Sequence, residues 1–183
     1  MVCIALLCAC TTSTTEYPSS WPRMRVGGIH CEDVSGVYLE QGVLETALRT
    51  GQRIVVSLSD VLIGDLMDPT APGISSRTVQ LQVSPEGKLS ASVSGEGTQR
   101  SALPVSMVEN HCTDGMLVAS FPKAKVGCEG CLAGRRSTNV RLERAEDDSL
   151  IVWVASTDVT LQYVVIPSRD REIYWMRFAR AKQ

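Results

Sequence analysis

Thr78-Val79-Gln80-Leu81-Gln82-Val83-Ser84-Pro85-Glu86-Gly87-Lys88-Leu89-Ser90-Ala91-Ser92-Val93 is the stretch whose reading decides the fold. Val79, Leu81 and Val83 alternate with polar neighbours, and Leu89, Ala91 and Val93 repeat the pattern. A two-residue period places each apolar set on one face of a strand. Between them Pro85 presets a turn dihedral and Gly87 permits positive φ, so the chain reverses. The stretch predicts an antiparallel hairpin with one face turned inward.

The same grammar recurs downstream. A turn at Cys112-Thr113-Asp114-Gly115 is expected to join strands over Val105 to Asn110 and Met116 to Phe121. Glu146-Asp147-Asp148 joins Val140 to Ala145 with Leu150 to Ala155, and strands over Val159 to Ile166 and Glu172 to Ala179 flank a turn at Pro167-Ser168-Arg169-Asp170. Helical periodicity is nearly absent. The exception is Ser57 to Gly64, where Ser57 with Asp60 three residues on matches a capping box ahead of Val61, Leu62 and Ile63. Pro69, Pro72 and Gly73 mark a surface loop after it. The expected fold is all-β, an antiparallel meander of about eight to ten strands with at most one short helix near residues 57–64. Such a meander hides its edges by closing as a lipocalin-like barrel or by folding over as a sandwich.

Ahead of that domain, Val2-Cys3-Ile4-Ala5-Leu6-Leu7-Cys8-Ala9 runs apolar into Cys10 and then into Thr11-Thr12-Ser13-Thr14-Thr15. A run this short cannot span a bilayer, which takes about 20 residues in a helix. A short apolar stretch ending at small residues is instead the form of an export signal. Leu7-Cys8-Ala9-Cys10 resembles the lipobox of bacterial lipoproteins, which implies cleavage before Cys10 and lipidation of its thiol. The basic residues that usually precede such a segment are missing, which leaves the start codon open. The expected organisation is a signal peptide over 1–9, a lipidated cysteine and flexible tether over 10–29, and a single β domain over 30–183.

Trp21-Pro22, then Cys31-Glu32-Asp33-Val34-Ser35-Gly36-Val37-Tyr38 with Gly42, and finally Trp175-Met176-Arg177-Phe178 resemble small Gram-negative envelope lipoproteins of unassigned function. The resemblance implies an envelope location and a β-rich domain, and it carries no active residues over. Thr11 rather than Asp after the lipidated cysteine implies outer-membrane sorting, with the protein facing the periplasm.

With 18 Lys+Arg against 20 Asp+Glu and no long run of either sign, nucleic acid is not an expected partner. The pair Arg135-Arg136 is too small to change that. The expected partners are the membrane, through the N-terminal lipid, and an envelope protein.

Cys31, Cys112, Cys128 and Cys131 remain after processing, an even set that in an oxidising compartment points to disulfides. Four cysteines allow three connectivities. Cys128-Glu129-Gly130-Cys131 can close a local bridge, which leaves Cys31 to pair with Cys112. A redox-active reading of Cys128 and Cys131 lacks the helix start and βαβ context such thiols use. His30-Cys31 and His111-Cys112 set imidazole beside thiol, but strand neighbours point to opposite faces, so no metal site is assigned. No Gly-x-Ser-x-Gly elbow, His-Glu-x-x-His or phosphate loop occurs, and no catalytic residues or cofactor are assigned.

Ile151 to Val154, Tyr163 to Ile166 and Ile173 to Met176 are continuous apolar runs, so both faces of those strands need cover. Trp153 and Trp175 are the candidate ligand-binding residues should the cover be a small molecule. The sequence favours a membrane-tethered interaction module, with a lipocalin-like carrier of a hydrophobic ligand second and an envelope enzyme or a metal or redox protein a distant third. An apolar chamber lined by the two tryptophans marks a carrier; a filled interior with open strand edges marks the module.

Overall fold

The hairpin that anchors the sequence reading forms in the computed structural model, which describes residues 12–13, 16–25, 31–45, 54–65, 77–95, 98–126, 131–162 and 166–182. In chain order the strands are β1 (Thr12–Ser13), β2 (Gly36–Leu39), β3 (Gln41–Glu45), β4 (Ile54–Ser57), β5 (Thr78–Val83), β6 (Leu89–Gly95), β7 (Thr98–Leu103), β8 (Val108–Thr113), β9 (Met116–Ser120), β10 (Ala124–Lys125), β11 (Cys131–Arg144), β12 (Leu150–Gln162) and β13 (Ile166–Phe178). A 3-10 turn spans Cys31–Val34 and one helix, α1, spans Leu58–Ile63. Thirteen strands exceed the eight to ten expected, two of them only two residues long.

The strands make two sheets. The larger runs β4-β3-β13-β12-β11-β9-β8, with β1 added along β13 and β10 along β11; the smaller runs β2-β5-β6-β7. Their inner faces share one core. Val79, Leu81, Val83, Leu89, Ala91 and Val93, the two apolar rows of the hairpin, pack with Leu117, Val140, Leu142, Val152, Val154 and Phe178 of the larger sheet. Gly87 turns the hairpin at φ 81°.

One corner joins the sheets. After Phe178 the chain continues alongside β2, where Leu39 N donates to Ala179 O at 2.8 Å and Ala181 N to Val37 O at 2.9 Å. Glu40, between β2 and β3, is buried at the bend. Its Oε1 accepts from Ser57 Oγ at 2.5 Å, from Ser59 N at 3.3 Å and from Ser59 Oγ. Ser57 also caps α1 by accepting from Asp60 N, and Gly64 ends the helix at φ 91°. The capping reading of Ser57 and Asp60 therefore holds, and α1 buries Leu58, Val61 and Leu62 in the core. Buried Tyr38 donates to Val34 O at 2.8 Å, and burial pushes its hydroxyl up to about 12.

No ring of strands closes among the described residues: β8 ends one sheet and β7 the other, and they are not paired. The lipocalin-like barrel gives way to two packed antiparallel sheets, because the connection from β7 to β8 passes between the sheets rather than pairing them. A second correction concerns Pro167-Ser168-Arg169-Asp170. These residues lie within β13, paired opposite Leu161, Thr160, Val159 and Asp158 of β12. Pro167 is the second residue of its strand, beyond the stretch paired with β1 and β3, where a missing N–H is tolerated. Within the stretch expected as a tether, Thr12 and Ser13 pair in parallel with Arg171 and Glu172, and Met24 bridges to Ala145.

Candidate functional site

β11, β12 and β13 are 14, 13 and 13 residues long, whereas no strand of the smaller sheet exceeds 7. The surplus forms an arm. Only the inner ends of these strands carry core residues, Val140 and Leu142, Leu150, Val152 and Val154, and Met176 with Phe178. Beyond them apolar alternation stops, while β-branched Thr138, Thr157, Val159 and Thr160 keep the chain extended.

Register sorts the arm's charges by face. Ser137, Thr157 and Arg171 stand in one row; Arg136, Asp158 and Asp170 in the next; Arg135, Val159 and Arg169 in the third. Directly opposed residues share a face and successive rows alternate. The face continuous with the core thus carries Arg136, Asp158, Asp170 and Glu172. There Arg136 grips Asp158 with Nε–Oδ1 at 2.8 Å and Nη2–Oδ2 at 2.7 Å, a paired geometry that neutralises both. Tyr174 donates to Glu172 on the same face, and burial, then this carboxylate, push its hydroxyl well above the usual phenol range.

The opposite face is cationic. Arg135, Arg169 and Arg171 are exposed on it, and β10 brings Lys125 beside Arg135. Among the described residues none of these joins an ion pair. Lys123, Lys125, Val126, Arg135, Val159 and Leu161 line an open groove of about 890 Å³. Val159 and Leu161 are 45% and 41% exposed, among the most exposed large apolar side chains described. Gly134 lets β10 come close: a Cβ there would stand 2.6 Å from Val126 O.

Nearer the core the same face is covered by the chain's own N-terminal segment. Trp153 and Trp175 are opposed in register with ring centroids 6.4 Å apart, and the Arg141 guanidinium sits 4.4 Å over Trp153. Tyr17 stands edge-on to Trp175 at 5.1 Å and to Trp21 at 6.1 Å. The two candidate tryptophans are thus brought together, but on the outside of the sheet beneath Tyr17. They do not line the arm groove. The cover that the continuous apolar runs demanded is supplied in part by the protein itself.

Cys31 and Cys112 form a disulfide with Cα atoms 5.6 Å apart, the pairing the sequence left for them. Cys10 and Cys128 lie outside the described residues; Cys131 begins β11, and its side chain lies outside them too. The disulfide consumes two thiols of the metal reading, and exposed His111 contacts Glu109 O through Nδ1 at 3.2 Å. No cluster of metal-ligating side chains occurs among the described residues.

Sequence reasoning missed the arm face. The sequence reading puts Arg169 in a turn and treats Arg135-Arg136 as a lone pair. The signal that finds them is register, since residues two apart on three paired strands fall on one face. Comparison with known proteins gives no matching family model, no matching characterised protein and no matching solved structure.

Proposed function

We propose that this protein is a cell-envelope lipoprotein, acylated at Cys10, tethered to the outer membrane on its periplasmic side, and serving there as a binding module for an envelope partner. The observation that carries this reading is the run Leu7-Cys8-Ala9-Cys10 at the end of a short apolar segment and ahead of a polar one. The interior supports a module over a lipocalin-like carrier: residues of both sheets pack in one core cluster, and Trp153 and Trp175 stand outside it, with Tyr17 against Trp175. β7 and β8 leave strand edges of the kind a partner strand pairs with. No catalytic role and no cofactor are proposed.

Mass spectrometry of the protein isolated from its native envelope tests the reading. Loss of residues 1–9 with an acylated Cys10 is expected, and Cys10→Ser should let high salt strip the protein from the membrane fraction. An unmodified thiol with the leading residues retained overturns it.

A further inference from the structure

The cationic face, the open groove and the pairing of β1 all belong to the arm. Thr12 pairs with Arg171, and β1 runs parallel to β13, whose first residues are the tip of the arm. Cys10 precedes Thr12 by two residues of sequence, and two residues span at most about 7 Å. An anchor on Cys10 is thus tethered through Thr12 to the strand that carries Arg169 and Arg171.

We propose that this face of the arm lies on an anionic lipid leaflet, its cations on headgroup phosphates and Val159 and Leu161 dipping between them. The proposal rests on the lipoprotein reading and adds to it an orientation and a lipid preference. Charge complementarity argues for it. Among the described residues Lys123, Lys125, Arg135, Arg169 and Arg171 join no ion pair, while Asp158, Asp170 and Glu172 fall on the other face by strand alternation. Glu109, in the adjoining groove with Lys123, is engaged by Ser120 Oγ at 3.2 Å. The segregation occurs within a chain of net charge −2, so the whole protein does not attract such a surface; this face does. A basic patch beside a lipid anchor adds a second, electrostatic attachment to anionic lipid.

The test separates the face from the anchor by using the full chain with Cys10→Ser, which cannot be acylated. Flotation with vesicles rich in phosphatidylglycerol is compared with flotation on pure phosphatidylcholine. The protein is expected on the anionic vesicles only. Reversal of three face cations, Lys125→Glu/Arg135→Glu/Arg169→Glu, should lower partitioning about 100-fold, at about fivefold per cation. The equally charged control Lys88→Glu/Arg100→Glu/Lys182→Glu should change it by less than about threefold. The leading residues are common to all variants, so the difference reads the face. With Cys10→Ser alone, raising salt from about 0.05 M to about 0.5 M should release the protein. Equal binding to both vesicles, salt-independent binding, or equal loss in the two triple variants overturns the proposal. None of these outcomes touches acylation, which is read separately by mass.

Discussion

Cys31, in the buried 3-10 turn, is bonded to Cys112 on β8 across 81 residues of sequence, which ties the entry of the domain to an edge strand of the larger sheet. Closing a loop of that length in the unfolded chain is worth about 4 kcal/mol on the chain-entropy account. The double variant Cys31→Ala/Cys112→Ala should therefore lower the free energy of unfolding in urea by about that amount. Cys112 is exposed, so reductant should reach the bridge in the folded protein and produce a similar loss. A loss under about 1 kcal/mol would mean that packing of Val34 and its neighbours holds this entry without the bridge.

Tyr17 fixes the N-terminal segment over the tryptophans, and its own hydroxyl donates to Pro22 O. Burial raises the Tyr17 hydroxyl pKa, the environment expected of a ring lodged against the sheet. Tyr17→Ala should cost about 2 kcal/mol and shift tryptophan emission to the red as Trp175 meets water. Unchanged emission would show that the segment does not cover Trp175 in solution.

The parts of this fold legible in the sequence are those fixed by neighbours along the chain. Alternation and a Pro-x-Gly turn specify β5 and β6, and a capping serine with a terminal glycine specifies α1, because each signal acts within a few residues. The arm was not legible because it is held by register between strands rather than by an apolar stripe of its own. Its polar residues have the composition of a loop, so Pro167 to Asp170 looked like a turn. The candidate site shares that cause: Arg135, Arg169 and Lys125 become one face only once three strands are aligned. The apolar runs that hold Trp153 and Trp175 call for cover, but no local pattern says that Tyr17, more than a hundred residues away, lies against Trp175.

Ser57 serves two structures at once, capping α1 through Asp60 N at 3.3 Å and donating to the buried Glu40 carboxylate. Ser57→Ala removes the cap, worth about 1 kcal/mol, and leaves Glu40 one donor short at a site where a second oxygen, Oε2, already lacks a partner. The expected loss in unfolding free energy is about 2 kcal/mol, with Ser57→Thr recovering most of it. Equal stability of the alanine and threonine variants would assign the corner to backbone pairing alone.

Asp147 and Asp148, in the turn between β11 and β12, anchor the end of the sandwich opposite the arm. Asp148 Oδ1 meets Arg25 Nη2 at 2.9 Å and Arg144 Nη2 at 2.6 Å, and Asp147 pairs with Arg177. Partial burial alone would raise the Asp147 pKa, but hydrogen bonds from the Ser149 hydroxyl and amide, together with Arg177, outweigh it and hold the carboxyl below its ordinary 3.8. A depressed folded-state value means that the stabilisation is fully present above the unfolded value and is lost as pH falls through the folded one. The gap in unfolding free energy between the parent and Asp147→Asn should therefore stay constant above about pH 5 and shrink on acidification. Because the aspartate is partly solvent-exposed and its partner long, the gap should also narrow in high salt. A gap that widens as acid is added would show that Asp147 is strained in the turn rather than held by Arg177 and Ser149.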